Sequence, residues 1–206
     1  NELQFFEDLP HVWEAWDIDF NFESKKRVIK ELDSIEVIEN GPLRSVVRLS
    51  YTYGKSTIVQ DVMLYAGSSR IDFVTRVDWH EKRTLLKAAF PVDIRSSYAT
   101  YEVQFGTIER PTHRNRDFDA AQFEVPAQKW ADLSEGNYGV SLLNDSKYGY
   151  DVKDNVMRLS LLRSPVDPDP LADQGEHQFT YALLPHVNDW REETVKEAYE
   201  LNIPFT

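Results

Sequence analysis

LRSVVRLSYTYGKSTIVQDVMLYAGSSRIDFVTRVDWH, running from Leu43 to His80, is the stretch whose reading decides the fold. Two short breaks, Tyr53-Gly54-Lys55 and Ala66-Gly67-Ser68, divide it into three runs. In the first run Leu43, Ser45, Val47, Leu49 and Tyr51 share one side, and Arg44, Val46, Arg48 and Ser50 the other. In the third, Ile71, Phe73, Thr75, Val77 and Trp79 oppose Arg70, Asp72, Arg76 and Asp78, interrupted by Val74. A period of two is that of a strand with one buried and one wet face. The glycines at the breaks suit tight hairpin reversals.

The same pattern continues outward. YATYEVQFG sets Tyr101, Val103 and Phe105 against Thr100, Glu102 and Gln104. NYGVSLLND, NVMRLSLLR and QFTYALLPH read as further strands, with reversals expected at Asn40-Gly41-Pro42 and Asp154-Asn155. Helix signals are scarce. NDWREETVKEAYELN is predicted as one helix near the C-terminus, capped by Asn188 or Asp189 and stopped by Pro204. WADLS, after Pro126, is expected to form a short helical turn. About ten strands with little helix predict an all-β fold, a large antiparallel sandwich in a single domain over residues 1–206.

Composition agrees. An aromatic content of 13% suits sheets better than a helical bundle. A net charge of −12 is repelled by phosphate backbones, which argues against nucleic acid as a partner. The chain has no Cys, so disulfides, thiolate metal sites and thiol catalysis are excluded. That accords with a cytoplasmic protein, the location expected here. No apolar run approaches the roughly 20 residues of a membrane span, so no membrane contact is expected. NELQFFEDLP does not begin with Met and reads as cut from something longer, which leaves an upstream signal open.

Chemistry is less plain. The five histidines, His11, His80, His113, His177 and His186, form no HExxH or HxH pattern, and His177 and His186 point to opposite faces of a strand. DPDPLADQGE carries several carboxylates but lacks the helix-loop-helix calcium spacing, and Pro168 and Pro170 stiffen it. It reads as a rigid acidic connection into a strand. No nucleophile elbow, Walker A or GxGxxG motif is present. The aromatics of PHVWEAWDIDF suit either a sugar-stacking platform or a core or interface. In GNYGVSLLNDSKYGYD a strand delivers Asn144, Asp145, Lys147 and Tyr148 onto a loop, which suits sugar hydroxyls as well as an ordinary polar hairpin.

Five strings together resemble the C-terminal β domain of glycoside hydrolase family 38, the retaining α-mannosidases, closest to the shorter bacterial and vacuolar-type members. They are PHVWEAWDIDF, AFPVDI, ATYEVQFGTIERPTHRN, EVPAQKWADLSEGNYGVSLLNDSKYGYD and LLRSPVDPDPLADQGEHQFTYALLPH, which span nearly the whole chain in order. The resemblance implies a sandwich of the galactose-mutarotase-like kind and a parent enzyme several times longer. It implies that an upstream α/β catalytic domain holds the Asp nucleophile and a divalent ion, zinc by the family's pattern. No catalytic or metal-binding residue is then expected in this segment, and the isolated segment is expected to be inactive. Its implied partners are that domain, α-mannoside glycans, and a homo-oligomer as a further option. The family's β-region loops close one side of the catalytic pocket. This makes Asn144, Asp145, Lys147 and Tyr148 pocket candidates, with Lys147 supplying positive charge where related members carry Arg beside the Asp. His113 and Arg114 of ERPTHRN are expected to line the pocket or anchor the catalytic domain. Two other classes stay open: an autonomous carbohydrate-binding module using Trp13, Trp16 or Tyr148, and an aldose-epimerase-like enzyme with His113 or His177 beside a carboxylate.

Overall fold

The structure, a computed structural model, describes residues 1–29 and 32–203. Among them, fifteen strands form two antiparallel sheets. The smaller sheet runs in the order β10 (Val125–Pro126), β13 (Gly149–Lys153), β14 (Val156–Arg163), β7 (Thr84–Pro91), β1 (Glu2–Glu7) and β2 (Lys26–Val28). The larger runs in the order β3 (Ser34–Asn40), β4 (Arg44–Tyr53), β5 (Ser56–Tyr65), β6 (Ile71–Trp79), β15 (Gly175–Val187), β12 (Tyr138–Asn144), β11 (Trp130–Glu135), β8 (Tyr98–Val103) and β9 (Gly106–Pro111). The expected sandwich is therefore present, with two short helices, α1 (Asp117–Ala121) and α2 (Thr194–Asn202). None of the helices described is long and apolar enough to cross a membrane.

The Leu43–His80 stretch folds as its alternation requires. Its three strands pair in sequence, Val47 opposite Val62 and Val62 opposite Phe73. Gly54 turns the first hairpin at φ +56°, where any Cβ would fall 2.5 Å from the Glu81 carboxylate. That carboxylate accepts from the Lys55 amide at 2.7 Å, so the reversal is fastened from outside. Between the sheets, Phe5 stacks on Tyr53 at 3.8 Å, Phe73 on Tyr181 at 5.1 Å, and Phe90 meets Phe73 edge-on at 5.5 Å. Tyr53 is partly buried, and full burial of a side chain such as Phe5 or Phe90 stabilises the fold by about 1.5–3 kcal/mol. One polar seam crosses this core: Gln60 donates to the Tyr181 hydroxyl at 2.5 Å and to Thr75 at 3.1 Å.

Two expectations change. WADLS is not helical: it opens β11, paired along β12 with Trp130 opposite Leu143. Ala131 and Leu133 enter the main core while Trp130 lies under α2, and burial on both faces erases the period of two. β7 hides for the same reason, with seven consecutive buried positions. The C-terminal helix starts at Thr194, not after Asn188 or Asp189. The Asp189 carboxylate instead accepts from the Arg191 amide at 2.8 Å across a tight turn, and Trp190 packs on Trp130 at 4.9 Å. The expected stop at Pro204 lies outside the described residues.

Candidate functional site

The loop after β12 is held by its own polar residues. Asn144 is buried, and its amide donates to the Gln128 carbonyl at 2.9 Å and the Tyr150 hydroxyl at 2.5 Å. Its side-chain oxygen accepts from the Lys147 amide at 2.7 Å. Asp145 accepts from the Thr180 amide at 2.9 Å and from Ser146 Oγ at 2.8 Å. These two side chains fix the loop. Tyr148 is presented, 55% exposed, whereas Lys147 is half-buried, its ammonium 4.4 Å from the centre of the buried Phe179 ring. Burial pushes the Lys147 amine down, against the opposing pull of Asp173 and Asp145.

His113 and Arg114 stand elsewhere, beyond β9. The two clefts around His113 are lined by none of residues 144–148. Arg114 pairs with Glu23 at 2.7 Å. His113 Nδ1 is 3.6 Å from Asp119 Oδ2, but Arg116 already grips that carboxylate at 2.7 and 2.9 Å. The enclosed space between His113, Asp119 and Asp151 is about 20 Å³, room for a water rather than a sugar ring. An acid–base pair of the epimerase kind therefore has no substrate space there. On its other side His113 borders an open cleft of about 510 Å³ with Asp93, Arg95 and Asn155.

Arg114 is the rim of a charge network on the outer face of the smaller sheet. Fully buried Lys87 reaches Glu124 at 2.5 Å and Asp151 at 2.7 Å. Arg158 joins Asp151 at 2.6 Å to Glu23. Burial works to raise the Glu23 carboxyl, but hydrogen bonds from Arg158 and Arg114 outweigh it and hold the pKa at about 2. Every acid in the chain of contacts has a cation, so this is a closed ion-pair system and not a poised catalytic group.

The remaining sequence candidates resolve individually. Two carboxylates of the acidic connection accept from backbone amides, Asp169 from Leu171 at 2.9 Å and Asp173 from Arg163 at the end of β14 at 3.0 Å. His177 meets the Asp173 carbonyl at 2.9 Å. Among the described residues no three His, Asp or Glu side chains converge as metal ligands do. Trp13 and Trp16 meet edge-on at 6.1 Å and are 68% and 70% exposed. Their loop is pinned from behind by Glu14, which accepts from Arg83 at 2.7 Å and the Val166 amide at 3.0 Å.

One buried cluster escaped the sequence reading. His186 Nε2 is 2.8 Å from Asp132, Ser141 Oγ is 2.9 Å from the same carboxylate, and Thr194 Oγ1 is 2.7 Å from Ser141. Ser, His and Asp meet here, but all are buried under the start of α2. Burial works against the imidazolium, yet the Asp132 hydrogen bond and charge win and raise the His186 pKa. The only signal in the sequence was the even parity of Ala182, Leu184 and His186, which face α2.

Over residues 1–171 the chain matches the family model described as the glycosyl hydrolases family 38 C-terminal domain. Along its whole length it is 44% identical to Alpha-mannosidase 2C1 of Homo sapiens, of which it spans 20%. A solved alpha-mannosidase from Enterococcus faecalis V583 superposes with a TM-score of 0.84 at 17% identity, covering 100% of this chain and 28% of that one. A putative aldose 1-epimerase from Klebsiella pneumoniae subsp. pneumoniae MGH 78578 superposes with a TM-score of 0.50 at 12% identity, covering 99% and 68%. At those identities the two superpositions establish a shared fold alone. The chain is thus about one fifth as long as the curated relative it matches.

Proposed function

This chain belongs to glycosyl hydrolase family 38, as its C-terminal domain, and on that premise we propose that it is the accessory β domain of a retaining α-mannosidase. The observation that carries this reading is the 44% identity to an α-mannosidase, sustained over every residue of the chain. The parent enzyme cleaves terminal α-mannosidic bonds through a covalent glycosyl-enzyme intermediate. Its nucleophile comes from an upstream domain of the same polypeptide, as does its divalent ion. The residues present do not fit that ion: His186 is spent on Asp132, His177 on a backbone carbonyl, and His80 on Asp78 at 2.8 Å. No step of the reaction is assigned to a metal held by this segment. A cytoplasmic location belongs to the same reading.

The segment contributes scaffold and one wall of the sugar pocket. In that wall Asn144 and Asp145 set the loop, while Lys147 and Tyr148 face the substrate; His113 and Arg114 brace the docked catalytic domain. The test is hydrolysis of an aryl α-mannoside by the full-length polypeptide. Tyr148→Ala should lower kcat/KM about tenfold with thermal stability unchanged, because an exposed side chain contributes little to folding. Unchanged kinetics would remove the loop from the pocket, and no hydrolysis by the unsubstituted polypeptide would overturn the α-mannosidase reading itself. A second reading, an autonomous carbohydrate-binding module, is favoured by the exposed and pinned Trp13–Trp16 pair alone. It requires saturable sugar binding that Trp16→Ala abolishes.

A further inference from the structure

On the core-facing side of the larger sheet, the apolar surface continues past the point where the smaller sheet ends. Cross-strand rows make this plain. Phe73 neighbours Val62, Val62 neighbours Val47, and Val47 neighbours Val37; in the next row Thr75, Gln60, Leu49 and Ile35 follow one another. At the inner end of these rows Phe73, Thr75 and Gln60 are buried. Val62, Val47 and Leu49 are half-buried. At the outer end Ile35 is 65% exposed and Val37 69%. The cause is a mismatch in sheet width, nine strands against six. Phe5 of β1 still covers Tyr53 of β4, but beyond β1 the smaller sheet has only the three-residue β2. Strand β3 is also an edge strand, with no partner on its outer side among the described residues. A row of core-type side chains on an open edge is a surface built for a contact.

We propose that this shelf seats an extended, apolar segment of the same polypeptide lying upstream of Asn1, which completes the cover that the smaller sheet begins. The inference rests on the reading of this chain as one domain of a longer enzyme. The entry point singles out this occupant over a second copy or an unrelated protein. Asn1 is itself exposed, and its side-chain amide reaches inward, donating to Gln60 at 3.2 Å and to the Tyr181 hydroxyl at 3.3 Å. Gln60 neighbours Leu49, and Leu49 neighbours Ile35. A chain arriving at Asn1 therefore passes within two strand spacings, about 10 Å, of the shelf. Its local concentration there exceeds that of any free partner.

The test uses the full-length polypeptide carrying Val37→Cys, a mild change at an exposed position. Thiol labelling at that site, followed by mass spectrometry, is compared with labelling after unfolding in urea. Cover predicts labelling at least about tenfold slower in the native protein; a native rate within about twofold of the unfolded one overturns the inference. A photo-crosslinker carried on the same thiol then identifies the occupant. Adducts to residues ahead of Asn1 support the inference, while adducts to a second copy or to residues after Thr206 overturn it. Hydrolysis of an aryl α-mannoside by the same preparation separates the two claims. An active enzyme with a freely labelled shelf sinks the shelf alone, and an inactive one with a protected shelf sinks the α-mannosidase reading alone.

Discussion

Lys87 shows how one residue can govern a whole face. It has no exposed side-chain area and sits between Asp151 at 2.7 Å and Glu124 at 2.5 Å. Burial works to lower the pKa of its amine, but the two carboxylates outweigh it and raise it. Replacing it with Met keeps the volume and removes the only cation paired with Glu124 among the described residues, leaving carboxylates facing one another in a buried site. The expected cost of Lys87→Met is about 3–5 kcal/mol, read from the urea midpoint. A loss below about 1 kcal/mol would mean that Arg158 alone neutralises the cluster. Glu23 gives the pH side of the same network. Its folded pKa of about 2 lies below its ordinary 4.5, so its contribution is complete above 4.5 and lost as pH falls toward 2. Glu23→Gln should therefore flatten the acid limb of a stability–pH curve in that window; an unchanged limb would refute the assignment. None of this was visible in the sequence, because Lys87 finds its acids 64 and 37 residues away.

At the scale of elements, α2 is fastened by chemistry at its first residue. Thr194 bonds Ser141, Ser141 bonds Asp132, and Asp132 bonds His186. The fit allows no slack: a Cβ on Gly139 would lie 2.3 Å from both His186 Cε1 and Ser134 Oγ. His186 has a raised folded pKa, with Asp132 and Glu193 favouring its charged form. Its contribution is therefore complete below imidazole's ordinary 6.5 and is lost as pH rises through the raised value. Hydrogen exchange over residues 194–202, corrected for intrinsic rates, should show α2 loosening across that rise, and His186→Gln should abolish the pH dependence. Loosening that persists in His186→Gln would assign the switch to another group. The elements themselves were readable where one face met water, as in β4, β5, β6 and β15. They were unreadable where both faces were covered: β7 lies under the charge network and β11 under α2, and a strand buried twice carries no alternation. The helix start was misplaced because an Asp that caps a turn looks, in sequence, like an Asp that caps a helix.

For the whole molecule, the candidate site divides along the same line. NDSKYGYD was singled out for its residue types, and types do not disclose partners. Asn144 and Asp145 prove to be bonded within the fold and Lys147 is half-buried against Phe179, which leaves Tyr148 as the group turned outward. The acidic connection from Ser164 carried the same ambiguity, and two of its carboxylates, Asp169 and Asp173, are likewise taken by backbone amides. His80, His177 and His186 each already have a partner, and among the described residues no three His, Asp or Glu side chains converge. Chelation of the full-length polypeptide should accordingly separate activity from the stability of this domain. Hydrolysis of an aryl α-mannoside is expected to fall at least about a hundredfold as the catalytic ion leaves. Hydrogen-exchange protection within β4, β6, β12 and β15 should stay the same, since no bond holding those strands passes through a metal. Loss of protection around His113 or His177 on chelation would place a ligand in this segment and reverse the assignment of the ion to the upstream domain.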